Sequence, residues 1–402
     1  MPKRKLIAIQ HCGEVGGSGI GLLSVLNILR EQFYIVVYCV STPRNLVELY
    51  EEKGYCVKPV KHIPTFTFHS GGPSVISIDF LIPLLRIKKV KKEWEGIFQE
   101  EEPDIVLANS MVLCWMWEAI QTCKAKAICY VREVLPNRWD PRARRILRDL
   151  EHFDAIWFIS EHEKSYFNLK HPESAVIRDC TVEVAPSTED ADSARMRDGK
   201  FHVLYVGGLS KLKGLDTLVK SLRFLDHRVV LDIAGYLPEN GKFKRHKFER
   251  LSLLKNAVLM MSEWNKRKMY HALENALEKY PNRIILQGHH KNTDALYQDC
   301  DALVFPSRAP HQSRPAFEVG FFMKPVVISD FKQTKENVRH MFNGLTFKPK
   351  NPKALADAIN ALCHDRSLCR RLGENNRKNS MEKHTFEAVQ SEMRLFWQRF
   401  CT

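Results

Sequence analysis

Two stretches of this 402-residue chain set glycines and polar side chains where apolar strands end. α/β proteins hold phosphorylated ligands with that arrangement. In the first stretch, an apolar strand over residues 6–11 runs into Gly13, Gly16, Gly17, Ser18, Gly19 and Gly21. Leu22, Val25, Leu26 and Leu29 then repeat at helical spacing. Backbone amides at Gly16, Gly17 and Ser18, together with the following helix dipole, can approach a diphosphate closely. A ligand-free tight turn has the same composition. A dinucleotide fold also places an acid about 20 residues on, at the end of its second strand. Here the strand over 34–40 ends in Ser41 and Thr42, which excludes a nicotinamide cofactor.

The second stretch is 303–330. An apolar strand over 303–305 breaks at Pro306, a polar loop follows, a helix starts near Pro315 with Glu318 about one turn in, and another strand covers 326–329. This βαβ unit opens its helix N-terminus toward the carboxyl edge of a parallel sheet.

The run Ser313-Arg314-Pro315-Ala316-Phe317-Glu318-Val319-Gly320 through Asp330 resembles the donor-site signature of glycosyltransferase family 4. These retaining enzymes of the glycosyl transferases group 1 take a sugar from a nucleotide diphosphate. The resemblance is specific from about 201 to 362 and architectural before that. It implies that Glu318 accepts hydrogen bonds from the ribose hydroxyls; otherwise Glu318 is simply an acid favoured by the helix dipole. Gly207-Gly208-Leu209-Ser210-Lys211-Leu212-Lys213-Gly214 is similar to the family's second phosphate loop, usually Gly-Arg, three or four variable residues and Lys-Gly. Lys213 then neutralises the leaving diphosphate, whereas Gly208 takes the place of the arginine. Losing such a donor costs on the order of 3 kcal/mol in the transition state, which Lys211 or Arg314 would have to offset. Pro310 replaces an earlier family glutamate and brings no hydrogen-bonding side chain.

The resemblance also places Arg132, after a strand over 127–131, beside the transferred sugar. Its other reading is a structural ion pair with Glu133 or another acid. Gly235, His289 near the base, and amides around Gln312, Ser313 and Arg314 complete the expected donor set. Lys213 and Arg132 are the expected catalytic residues. Adjacent His289 and His290 diverge and make a poor metal pair, so no metal and no cofactor beyond the nucleotide-sugar substrate is expected.

Alternating strands and helical segments organise the rest. One domain spans 1–183 and is packed by a terminal helix over 385–402; a second spans 200–384, with an aperiodic linker over 184–200. The resemblance implies an α/β fold of two Rossmann-like domains facing across a cleft, the glycosyltransferase B architecture. The first is the acceptor side and the second binds the donor. In the terminal helix, Phe386, Val389, Met393, Phe396 and Trp397 fall at helical spacing and suit docking on the first domain. The irregular stretch 64–74 lies where relatives meet the acceptor.

Hydrophobic content of 44% and charged content of 27% describe a folded globular chain. There is no apolar run of the ~18 residues a membrane span needs, and the N-terminal apolar segment is too short for a signal peptide; a cytoplasmic protein is expected. Eleven scattered cysteines without a CxxC pair read as reduced thiols. A formal charge of +14 favours anionic partners. The basic amphipathic helix over 80–98 fits either peripheral contact with an anionic membrane or an ordinary solvated face. The basic, partly aromatic stretch 243–279 is broken by acids, and no nucleic acid partner is expected. The expected partners are a nucleotide-diphosphate sugar and a glycan or lipid-linked acceptor; oligomeric state is left open, a homodimer included. The expected activity moves a hexose from GDP-mannose or a UDP-hexose. The alternatives are a nucleotide-sugar epimerase of the same architecture and an inactive sugar-nucleotide-binding protein.

Overall fold

Near-continuous apolar runs form the strands because both faces of each sheet are covered. The computed structural model describes residues 3–66, 68, 78–170, 173–181, 199–237, 253–290 and 292–400. These lie in two units, Met1–Val182 with Lys383–Thr402, and Glu183–Glu382. The expected linker, most of the 64–74 stretch and the basic cluster at 242–250 lie outside the described residues.

The first unit is built on β1 (Arg4–Gln10), β2 (Phe33–Val40), β3 (Cys56–Val60), β4 (Ile105–Ala108), β5 (Lys126–Val131), β6 (Ala155–Phe158) and β7 (Ser174–Val176). All pairings are parallel, in the order β3-β2-β1-β4-β5-β6-β7. The order reverses between β1 and β4, the switch point at which such sheets bind ligands beyond their carboxyl ends. The covering helices are α1 (Gly17–Leu29), α2 (Asn45–Glu52), α3 (Ile78–Glu101), α4 (Trp117–Ile120), α5 (Pro141–Leu150) and α6 (Glu161–Phe167).

α3 buries Ile87, Trp94 and Phe98 in one core layer. Lys91 of α3 pairs with Glu118 at 2.9 Å. Ile87, Trp94 and Phe98 of the expected amphipathic helix are packed inside the unit, and its side chains before Ile87 lie outside the described residues. No described helix is long and apolar enough to cross a membrane.

The terminal helix Phe386–Phe400 closes the opposite layer with Val389, Met393, Phe396 and Trp397. Trp397 lies 5.2 Å from Phe33, and Phe396 meets Trp157 edge-on at 5.4 Å. Truncating a buried aromatic of this kind costs about 3–5 kcal/mol. The chain therefore begins and ends in the same unit.

The second unit repeats the topology with β8 (Phe201–Val206), β9 (Val229–Ala234), β10 (Ile284–Gly288), β11 (Ala302–Phe305), β12 (Val326–Ser329) and β13 (Gly344–Phe347). The order is β10-β9-β8-β11-β12-β13, again parallel. Its switch point lies between β8 and β11. Its helices are α7 (Leu215–Ser221), α8 (Leu253–Lys279), α9 (Asp294–Asp299), α10 (Arg314–Glu318), α11 (Pro352–His364) and α12 (Arg366–Lys383). Among the described residues, the basic stretch 243–279 is helical from Leu253.

Candidate functional site

At the second switch point, β8 gives way to Gly207 and Gly208, whose amides both donate to the Ala234 carbonyl at 3.0 and 2.9 Å. Gly208 has φ +56°, and a Cβ there would lie 2.7 Å from the Tyr236 carbonyl oxygen and 2.8 Å from its nitrogen. Gly235, at φ +125°, faces the Gly208 backbone from the other side. An arginine at 208 would be strained and blocked, which is the physical reason this loop departs from the family pattern.

Gly214, at φ +84°, sits against the Pro306 carbonyl with no room for a side chain. The Arg308 amide donates to the Leu212 carbonyl at 2.9 Å, and its guanidinium pairs with Asp216. The loops after β8 and β11 are thereby bound to each other.

Lys213 projects from this junction. Its stem passes beside Gly207, with Cδ 2.9 Å from where a Cβ would stand. Among the described residues, its Nζ has neither a hydrogen bond nor an ion-pair partner, and burial pulls its pKa below the ordinary lysine value. A largely desolvated cation without a counter-charge costs stability. An anionic ligand removes that cost. Lys211, two residues earlier, is exposed.

The loop after β11 adds polar atoms in the same situation. The hydroxyls of Ser307 and Ser313 are buried and have no hydrogen-bond partner among the described residues. Ser313 caps α10, and Pro315 fixes its start. Within α10, Arg314 Nε donates to Glu318 Oε1 at 2.6 Å. The Tyr297 hydroxyl, from α9, donates to Glu318 Oε2 at 2.7 Å. Burial, and after it the Glu318 charge, push the Tyr297 phenol well above its usual pKa, so it remains a donor. Glu318 is thus an oriented carboxylate with lone pairs left for hydroxyl groups.

Tyr297 is the participant that sequence reasoning missed. Its only signal was a place on the short helix before β11. Gln312 is half-buried beside Ser313, and His289 is exposed beyond β10. His290 Nε2 lies 2.7 Å from the Gln287 carbonyl oxygen. Gly235 donates its amide to the Gly288 carbonyl at 2.7 Å.

At the switch point of the first unit, Asn109 Nδ2 donates to Gln10 Oε1 at 2.6 Å and to the Ser18 carbonyl at 3.2 Å. Gln10 Nε2 in turn reaches Ser18 Oγ at 3.3 Å. Gly16 and Gly17 are exposed, with open space where side chains would stand. Gly19 packs on Leu46, and Gly21 makes room for the Arg132 and Asp179 side chains. Gly13 is buried against the Val40 and Pro43 carbonyls, so of these glycines Gly16 and Gly17 are the ones that leave their backbone open to a ligand.

Arg132 stands in the ion-pair arrangement, with Asp179 rather than Glu133 as its partner. Its NH2 group donates to both Asp179 oxygens at 2.7 Å and to the Gly17 carbonyl at 3.3 Å. Glu133 instead accepts from the Ser110 hydroxyl and from the Met111 amide at 3.1 Å. Ser110 has φ +150°, a strained value for a non-glycine residue, as occurs at functional sheet ends.

Both units carry the Rossmann strand order, and comparison with solved structures extends that likeness across 98% of the chain and 99% of Anabaena HepE in complex with UDP and glucose, at TM-score 0.74 and 17% identity. Sucrose-phosphate synthase from Thermosynechococcus elongatus matches over 99% of this chain and 100% of its own, at TM-score 0.72 and 18% identity. The fold is the glycosyltransferase B fold. Residues 186–379 match the family described as glycosyl transferases group 1. In sequence, the capsular polysaccharide biosynthesis glycosyltransferase CapM of Staphylococcus aureus is 21% identical over 209 residues, 51% of this chain. That match spans about half the relative's length, 48%.

Proposed function

We propose that the chain is a retaining glycosyltransferase that takes a hexose from a UDP-hexose, in preference to GDP-mannose, and passes it to a glycan, glycolipid or glycoprotein. The observation that carries this reading is the half-buried Lys213 ammonium, which has no partner among the described residues and is set where the loops after β8 and β11 are bound together. The preference for uridine follows the UDP complex of the similar fold.

In this reading Lys213 receives the charge that grows on the diphosphate as the glycosidic bond breaks. It is preorganised, because its desolvation is already in place. The Ser307 and Ser313 hydroxyls and the amides around Gln312 hold phosphate oxygens. Glu318, oriented by Arg314 and Tyr297, accepts from the ribose hydroxyls. Lysine and backbone donors supply the charge compensation, so turnover survives chelation of divalent metals.

The test is incubation with UDP-glucose, UDP-galactose, UDP-N-acetylglucosamine and GDP-mannose, followed by mass spectrometry and NMR of the product. Release of UDP with an α-linked product supports the proposal. Epimerised donor in the absence of acceptor, or no turnover of any donor after acceptor screening, overturns it.

A further inference from the structure

The loop between β5 and α5 leaves the carboxyl edge of the first unit just past Arg132 and Glu133, and at its far end it exposes a tryptophan. Trp139 is 74% exposed, although its backbone is fixed. Its amide donates to Asn137 Oδ1 at 3.0 Å, and its carbonyl accepts from Arg144 Nε and NH2 at 3.2 and 3.1 Å. An indole left in water on an anchored backbone is costly to solvate and ready to stack.

The charges around it are unevenly matched. Residues 138–149 carry five arginines and two aspartates. Asp140 is consumed by Arg142, bonded at 2.7 and 2.6 Å, and Asp149 lies between Arg145 and Arg148 at 3.5 and 3.2 Å. That leaves Arg138 and Arg144 without an acidic partner among the described residues, and both are attached to Trp139. Arg138 lies 5.6 Å from the ring centroid, and Arg144 holds the carbonyl. A flat apolar face flanked by two uncompensated guanidinium forks suits a sugar ring that bears carboxylate, phosphate or sulfate groups.

We propose that Trp139, Arg138 and Arg144 form a binding site for an acidic oligosaccharide, which makes the acceptor of the proposed transferase an anionic glycan. The acceptor role rests on the proposed function; the acidic-glycan site does not. Among the described residues of this loop Trp139 is the one large aromatic that is exposed, which favours a saccharide over single-stranded nucleic acid, whose binding uses successive aromatic platforms along a basic groove.

The test is calorimetry on the full chain with a galacturonate tetramer, a heparin tetrasaccharide, neutral maltotetraose, an eight-residue oligouridylate, and phosphatidylglycerol-containing vesicles, with UDP titrated in parallel. Saturable binding of at least one acidic tetrasaccharide is expected, at least tenfold tighter than maltotetraose and weakened by salt. Trp139→Ala and the double variant Arg138→Gln, Arg144→Gln should each weaken it at least tenfold while melting as the wild type does. Absence of saturable binding to both acidic tetrasaccharides overturns the proposal. Binding that neither variant changes, or tighter binding of the oligouridylate or vesicles through these residues, also overturns it. Acidic-glycan binding at Trp139 without any UDP binding would uphold this site and overturn the donor reading; UDP binding alone would do the reverse.

Discussion

Replacing Lys213 by methionine should stabilise the empty protein and weaken nucleotide binding in the same variant. Methionine keeps most of the stem beside Gly207 and removes an ammonium that burial has largely stripped of water and that has no counter-charge among the described residues. Burying an uncompensated polar group costs about 1–3 kcal/mol in protein mutational data. Relief of the lower end of that cost, about 1 kcal/mol, raises the melting temperature of a domain this size by about 2–4 °C. A hydrogen bond to a charged partner contributes about 1.5–3 kcal/mol, so UDP affinity should fall by roughly 10- to 100-fold. Differential scanning calorimetry of the ligand-free variant and titration calorimetry with UDP supply the two numbers. Lower melting with unchanged UDP affinity would show that Lys213 is a structural residue, and the donor-site reasoning would fail.

The same lysine sets a pH limit. Its folded pKa is depressed, so its charge is present below that pKa and lost as pH rises through it. Wild-type affinity for UDP should therefore decline at a pH below the ordinary lysine value of about 10.4, whereas Lys213→Arg shows no such decline. Glu318→Ala should weaken UDP binding with the fold intact, and Tyr297→Phe should weaken it less, by several-fold, through loss of one oriented hydrogen bond of about 1 kcal/mol; equal affinities by calorimetry would remove both from the site. Gly208→Arg, which restores the family's usual residue, should lower the melting temperature and leave UDP affinity no better, because the Tyr236 backbone occupies the space; a stable, tighter-binding variant would refute this. His384 is buried neutral, its pKa pulled to about 4 by burial. The unfolded chain takes up that proton first, so the contribution is complete above pH 6.5 and is lost as pH falls from there to about 4, on the order of 3 kcal/mol. His384→Gln should flatten the melting-temperature profile between pH 6.5 and 4.5, and an unchanged slope would contradict the assignment.

Element types and their order were legible in the sequence wherever an apolar run met glycine or proline. The 303–330 unit and the strand into Gly207 are read directly, because a buried parallel strand has to be apolar throughout and its turn has to accommodate positive φ. The docking of the terminal helix was equally readable from Phe396 and Trp397. Partner choice was not. Arg132 next to Glu133 looks like a local pair, yet Asp179, 47 residues away, takes the guanidinium because β6 and β7 bring it there. Tyr297 was invisible for the same reason, since its contact with Glu318 depends on how α9 and α10 meet. Gly208 looked like a loss of function in the letters. In three dimensions it is a requirement of the backbone beside Gly235.

The most direct measurement is a titration of UDP and UDP-glucose into the wild type and Lys213→Ala, with Trp139→Ala as the control outside the donor site. A nucleotide-sugar site on the second unit predicts saturable binding to the wild type and to Trp139→Ala, reduced at least tenfold in Lys213→Ala. No saturable binding of any nucleotide diphosphate at millimolar concentration, or equal binding by all three proteins, would contradict it.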